Sequence, residues 1–162
     1  PTPRAGPFTI GRQRPVRTGP RRWVLAVTDR PRLPQWILVC WASPWSLVGL
    51  LFGLLALATG GRGQTQGHCL EFHGGILPLL LKTLPIAGGA SAITLGHAVL
   101  GRSCQDLDRC RAHETVHVRQ YERWGVLFVP AYILSSLYVW SRGGDPYRDN
   151  PVEREAFAAG GD

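Results

Sequence analysis

Methionine is absent from all 162 residues, position 1 included, so targeting signals at the amino end are not argued from this sequence. Cysteine is scarce. Cys40, Cys69, Cys104 and Cys110 form no C-x-x-C pair, which excludes a structural zinc ribbon and a thioredoxin-like site. Cys104 and Cys110 could bridge in an oxidising compartment, but two ordinary thiols are the simpler expectation, and Cys40 sits in an apolar run and reads as packing. Basic excess is missing beyond the first 35 residues. That segment holds eight Arg against one Asp, whereas the rest of the chain holds ten basic and ten acidic residues. A uniformly basic surface is thereby excluded, and no nucleic-acid partner is expected. Charge of either sign is missing over two long stretches, Leu33 to Gly61 and Trp124 to Ser141.

The first uncharged stretch is Leu-, Val-, Ala- and Trp-rich from Trp36 to Thr59, and a bilayer core takes about twenty such residues in a helix. Trp36, Trp41 and Trp45 gather at one end, as an interfacial belt does. Pro44 either kinks this helix or begins its main part. The reading is one membrane span over 36–59, preceded by a disordered basic tail, 1–35, rich in Pro, Arg and Gly. Arginine before a span marks the cytoplasmic side, which puts the rest of the chain, 60–162, on the outer or lumenal side. A buried core helix is one competing reading for 36–59, and a cleaved amino-terminal signal is another, although the preceding tail is long for one. The second stretch, eighteen residues from Trp124 to Ser141, is barely long enough to cross. Pro130, Ser135, Ser136 and two tyrosines make it a poor lipid-exposed span, so it reads as a helix packed on the domain or lying at the interface.

What the chain does have is His113-Glu114-Thr115-Val116-His117, an H-E-x-x-H pattern. On a helix, residues four apart share a face, so two imidazoles can grip one ion. A catalytic zinc takes about three protein ligands and keeps one position open, and the intervening glutamate lies near enough to take a proton from water. The surroundings predict a helix. Ser103-Cys104-Gln105-Asp106 resembles a capping box with Asp for Glu, no Gly or Pro occurs from Asp106 to Trp124, and Gly125 supplies a stop. Leu107, Cys110, His113, His117, Tyr121 and Trp124 form one stripe. The bland alternative is a helix whose two histidines are solvated or hydrogen-bonded in the core.

A third ligand is offered by Asn150-Pro151-Val152-Glu153-Arg154-Glu155-Ala156-Phe157, which reads as a helix start with Asn as N-cap and Pro in the first turn. With this second helix the chain resembles the gluzincin group of metallopeptidases, in which a glutamate from an E-x-x-A-D segment reaches the zinc. Glu153-Arg154-Glu155-Ala156 matches the first four positions, and Phe157 stands where the Asp would be. By that register Glu153 is the ligand. Glu155, two residues on, is the alternative, and the two cannot serve together because they lie on opposite sides of a helix. Glu153 could instead answer the helix dipole. The metzincin extension fails at Gln120 and Arg123, and the reversed H-x-x-E-H order is absent. The run from His113 through Tyr121-Glu122-Arg123-Trp124-Gly125 to Asn150-Pro151 is also similar to small membrane-linked zincin-like proteins.

Between the two uncharged stretches, Gly60 to Gly63 reads as a linker, Cys69 to His73 as a strand, Gly75 to Leu84 as a short helix, and Ala92 to Leu100 as a second strand just before the metal helix. The resemblance implies that this last strand holds an extended substrate. His68, His73 and His97 are further ligand or transition-state candidates, each with an ordinary polar role as its alternative.

The expected fold class is therefore α+β: a mostly helical, small zincin-like domain with a short hairpin or sheet, after a transmembrane helix. The expected function is hydrolysis of peptide bonds in a peptide or protein substrate, at a lipid membrane, with Zn2+ held by His113, His117 and Glu153 and with Glu114 as the base. Tyr147, Tyr121 and His97 are candidates for stabilising the oxyanion. The alternatives are a catalytically inactive zincin-like scaffold that binds zinc or docks a partner, and an integral membrane protein with two full spans whose histidines are incidental.

Overall fold

The computed structural model describes residues 34–84 and 88–160; the expected basic tail lies outside them but for its last two residues. The fold is α+β, with five helices and a four-stranded mixed sheet among the described residues. Helix α1 (Gln35–Ala58) leads into strands β1 (Arg62–Gln66) and β2 (Cys69–His73), helix α2 (Leu77–Lys82), strands β3 (Ala92–Leu95) and β4 (Ala98–Gly101), then helices α3 (Cys104–Trp124), α4 (Phe128–Ser141) and α5 (Pro151–Gly160). The sheet order is β1-β2-β4-β3, with β2 and β4 parallel and both outer pairs antiparallel.

Side-chain alternation across the sheet decides what packs where. Phe72 of β2 and Leu100 of β4 join Ala56 of α1 and Leu77 and Leu81 of α2 in one core. Val99 of β4, with Cys69 beside it, joins Leu107 and Val118 of α3 in another. The sheet is thus held between α1 with α2 on one face and α3 on the other. On the α3 face, Arg111 donates twice to the buried carboxylate of Glu71, at 3.2 and 3.1 Å, and Gln64 adds a bond at 2.6 Å. These bonds fix the rotation of α3 on β2, since a buried carboxylate left unpaired costs several kcal/mol.

α1 is about 36 Å long at 1.5 Å per residue. Its inner side is a stripe of small buried residues, Ala42, Ser46, Gly49, Gly53 and Ala56. A Cβ at Gly49 would stand 2.6 Å from that of Ala98, and one at Gly53 would stand 2.5 Å from the Phe72 ring. The helix backbone therefore lies directly on the sheet. Pro44 is inside the helix and cannot donate to the Cys40 carbonyl; the Ser43 hydroxyl donates to it instead, at 2.7 Å. The outer side carries exposed Trp36, Trp41, Leu47, Leu51 and Leu54. α1 is one layer of the same compact unit as the sheet, because its small-residue stripe is buried by the strands.

Two expectations change. The linker reading of Gly60 to Gly63 gives way at Arg62, where β1 begins as an exposed edge strand. The single strand from Ala92 to Leu100 is a hairpin, β3 and β4, folded at Gly96-His97. Gly96 has φ +62°, and a Cβ there would meet the Ser46 hydroxyl at 2.1 Å, so an uninterrupted apolar run is turned by a residue that needs both the left-handed region and the missing side chain.

α3 begins as expected. Ser103 Oγ accepts the Asp106 N–H at 3.1 Å and donates to the Asp106 carboxylate at 2.6 Å. It ends at Gly125, φ +55°, against the Trp41 ring. A single 3-10 turn, Gly125–Leu127, then starts α4, whose outward side exposes Ile133, Leu134, Leu137, Tyr138 and Trp140. Two helical stretches, Cys40–Ala58 and the α3-to-α4 run Cys104–Ser141, are long and apolar enough to cross a membrane. Asn150 returns the chain to the domain. It is fully buried, its Oδ1 accepts the Val152 N–H at 3.0 Å, and its Nδ2 donates to the Tyr132 carbonyl and the Ser136 hydroxyl of α4. This N-cap starts α5 and also ties it to α4, which sets where Glu153 points.

Candidate metal centre

Three atoms converge where α5 crosses α3. His113 Nε2 and His117 Nε2 are 3.1 Å apart. Glu153 Oε2 lies 3.2 Å from the first and 3.5 Å from the second. Ligands about 2.0–2.1 Å from a tetrahedral zinc stand about 3.3–3.4 Å from one another, so the triangle has the size of one face of a zinc site. Glu153 Oε2 is buried and has no hydrogen bond of good geometry among the described residues. A buried carboxylate oxygen without a donor needs a counter-charge, and a cation held by these three atoms would supply one.

The surrounding bonds prepare these atoms. Gln120 Nε2 donates to the Val152 carbonyl at 3.0 Å and to the Glu155 carboxylate at 3.0 Å. Both partners can only accept, so the Gln120 amide is oriented with its oxygen toward His117 Nδ1, 2.8 Å away. That nitrogen must then carry the proton, and the neutral ring presents a lone pair at Nε2. The Tyr132 hydroxyl donates to Glu153 Oε1 at 2.7 Å. Phe157, in the position the resemblance assigns to an aspartate, packs its ring on His113 at 4.9 Å between centroids. His113 is thus held by ring contact.

The electrostatics follow from burial and neighbours. Burial alone would raise the Glu153 pKa, but the imidazoles of His113 and His117 and the Tyr132 hydroxyl outweigh it and bring it down to about 2. Glu114 is the opposite case. Its carboxyl is wholly buried, and desolvation holds its pKa above the ordinary value against the pull of His117, Thr94 and His113. The Thr94 hydroxyl of β3 donates to Glu114 Oε2 at 2.7 Å, which pins the side chain to the edge strand. For His117, burial opposes the charged form, yet Glu153 and Glu114 prevail and its pKa is raised.

The triangle and Glu114 lie on a cleft of about 410 Å³. Its walls include β3, Trp45 of α1, Tyr132 of α4 and Tyr147 of the α4–α5 connection. β3 is the outermost strand on this side of the sheet. The volume is that of a small-ligand or peptide-side-chain site, apolar with few converging polar groups.

Of the residues singled out in the sequence, His113, Glu114, His117 and Glu153 meet here. Glu155 turns away to Gln120 and Arg123. Tyr147 lines the cleft, and Tyr121 reaches it only as a buried ring stacked on Phe128 at 4.2 Å. His97 stands elsewhere, against Glu122. No disulfide joins any of the four cysteines among the described residues, Cys104 and Cys110 included. Thr94, Gln120 and Tyr132 were not anticipated. Gln120 had a readable signal, its i+3 spacing from His117; Thr94 and Tyr132 arrive through tertiary folding alone. Comparison with protein families, with curated proteins and with solved structures finds no match for this chain.

Proposed function

We propose that this protein is a membrane-associated, gluzincin-like zinc metallopeptidase. In this reading His113, His117 and Glu153 hold the ion and Glu114 is the general base. One observation carries it: a triangle of two imidazole nitrogens and a carboxylate oxygen, of zinc-site dimensions, beside a buried glutamate of raised pKa on the same cleft. When bound, zinc supplies Lewis acidity that acidifies water and polarises a carbonyl. Glu114 would accept the proton of the attacking water and pass it to the leaving amine, a role that burial favours by raising its pKa above the ordinary carboxyl value. The free edge of β3 offers backbone groups to an extended peptide. Tyr147, on the cleft wall, is the hydroxyl assigned in this reading to stabilising the oxyanion. The test is zinc content measured together with cleavage of a broad peptide library, for the wild type and for His117→Ala. Zinc at the triangle and metal-dependent cleavage are expected, with one equivalent of zinc and all cleavage lost from the variant. Wild type without zinc at this triangle ends the reading.

A second reading is an inactive zincin-like scaffold, favoured by Phe157 in the aspartate position. Zinc that is lost from His117→Ala, with no peptide cleaved by the wild type, would select it.

The same proposal places the protein at the membrane through the exposed apolar outer side of α1, which carries Trp36 and Trp41 as an interfacial belt does. The inner side of α1 stays on the sheet from Ala42 to Ala56, and Trp45 lines the metal cleft, so the helix meets lipid by one side. α4 lies along the interface in this arrangement. Its two flanks carry His117 and Glu153, 3.5 Å apart, which a full crossing between them would separate. In sealed vesicles of known orientation, protease should reach an amino-terminal tag and a carboxy-terminal tag from the same side. Tags cut from opposite sides would end this arrangement.

A further inference from the structure

Two hairpin turns and the end of α3 meet outside the cleft. β2 and β4 run parallel as neighbours, with Leu70 in register with Ala98, so His68 and His97, at the start of each strand, emerge side by side. Leu70 N–H donates to the His97 carbonyl at 2.9 Å, and the two rings lie 5.8 Å apart. α3 crosses this corner with Glu122. Its Oε1 is 3.4 Å from His97 Nε2 and 3.5 Å from His68 Nε2, and the three ligand atoms all lie within 4.8 Å of one another.

We infer that His68, His97 and Glu122 form a second divalent-cation site, suited to zinc or a cation of similar preference. Nitrogen and carboxylate donors in this number suit zinc and its first-row neighbours rather than calcium or magnesium, which take oxygen. The two short distances again match about 3.3–3.4 Å, the ligand separation around a tetrahedral zinc. The His97 ring is buried, and its Nδ1 has no hydrogen-bond partner among the described residues. Its Nε2 is therefore the ring's polar outlet, and it is aimed at the carboxylate. A carboxylate beside two imidazole nitrogens at a partly enclosed corner is a donor set that suits a first-row dication. His68 is the exposed member, 54% accessible at its side chain, so the site is open to solvent on one side for entry and for a water ligand. Occupancy ties the β1–β2 turn and the β3–β4 turn to α3, five residues beyond His117. This site stands whether or not the triangle at His113 is catalytic.

The experiment is metal stoichiometry and cobalt(II) titration on the full chain, with the metal alone as probe. The wild type should bind two equivalents, and His68→Ala should bind one. Because His68 is exposed, that substitution does not disturb the core. The double variant His113→Ala/His117→Ala should keep one cobalt, with visible absorption of the low-coordinate ion, and adding His68→Ala or Glu122→Gln should weaken it by more than about tenfold, the scale on which even outer-sphere partners act. If the double variant does not fold, the drop from wild type to His68→Ala decides. A His68→Ala variant that binds as much metal as the wild type overturns the site.

Discussion

Glu114→Gln is expected to keep the fold and the metal and to lose hydrolysis. Glutamine has the size of glutamate, and its oxygen can still accept the Thr94 hydroxyl, now at 2.7 Å from Glu114 Oε2. Glu114 itself touches none of the three converging atoms in the manner of a ligand, so zinc content should be unchanged. Stability should be equal or higher, because a carboxyl whose pKa is raised by burial is being replaced by a neutral group that costs less to bury. What glutamine cannot do is take a proton. A positioned general base contributes about 10²–10⁴ in rate, and kcat on any peptide cleaved by the wild type should fall by about that factor while thermal midpoint and zinc stoichiometry hold. A variant that cleaves as fast as its parent removes Glu114 from the chemistry. One that has lost zinc assigns it instead to holding the centre together.

The helices that carry this site were open to reading because their signals are local. Ser103 caps α3, Gly125 stops it, and the spacing of His113 and His117 fixes their common face without any knowledge of the rest. Asn150-Pro151 announced α5 in the same way, and the first-turn position of Glu153 followed from it. The sheet was harder. Ala92 to Leu100 is apolar almost throughout, so period-two alternation gives no cue to a reversal, and Gly96 looks like any strand glycine until Ser46 is found pressed against it. The role of α1 was half visible. Its uncharged length suggested lipid, but the stripe Ala42, Ser46, Gly49, Gly53 and Ala56 is the pattern of a helix brought close to something solid, and the sheet is what it meets. Tyr132 was hidden for another reason. Within an uncharged run it counted only against a lipid-exposed span, and its hydroxyl becomes significant only when Asn150 folds α5 back over α4.

The contrast between Glu153→Gln and Glu155→Gln tests the register that places the third ligand. Structural zinc sites with four ligands bind with about 10–16 kcal/mol, or about 3–4 kcal/mol per ligand. Removing one negatively charged ligand should then weaken binding by about 10²–10³-fold. Glu153→Gln loses the charge that faces both imidazoles, and its amide would set either an N–H or a weaker neutral oxygen where Oε2 now stands 3.2 Å from His113. Glu155→Gln touches the centre only through Gln120, which retains the Val152 carbonyl as an acceptor. The orientation of His117 should therefore persist, and zinc affinity should change by less than about tenfold, the lower end of outer-sphere effects. Competition with a chromophoric chelator reads both variants on one scale. The measurement should be made in a His68→Ala background, so that zinc at the β1–β2 corner does not mask the loss. Comparable losses in the two variants, or a greater loss in Glu155→Gln, would mean that α5 presents its other side to the histidine pair, and the peptidase reading would lose its third ligand.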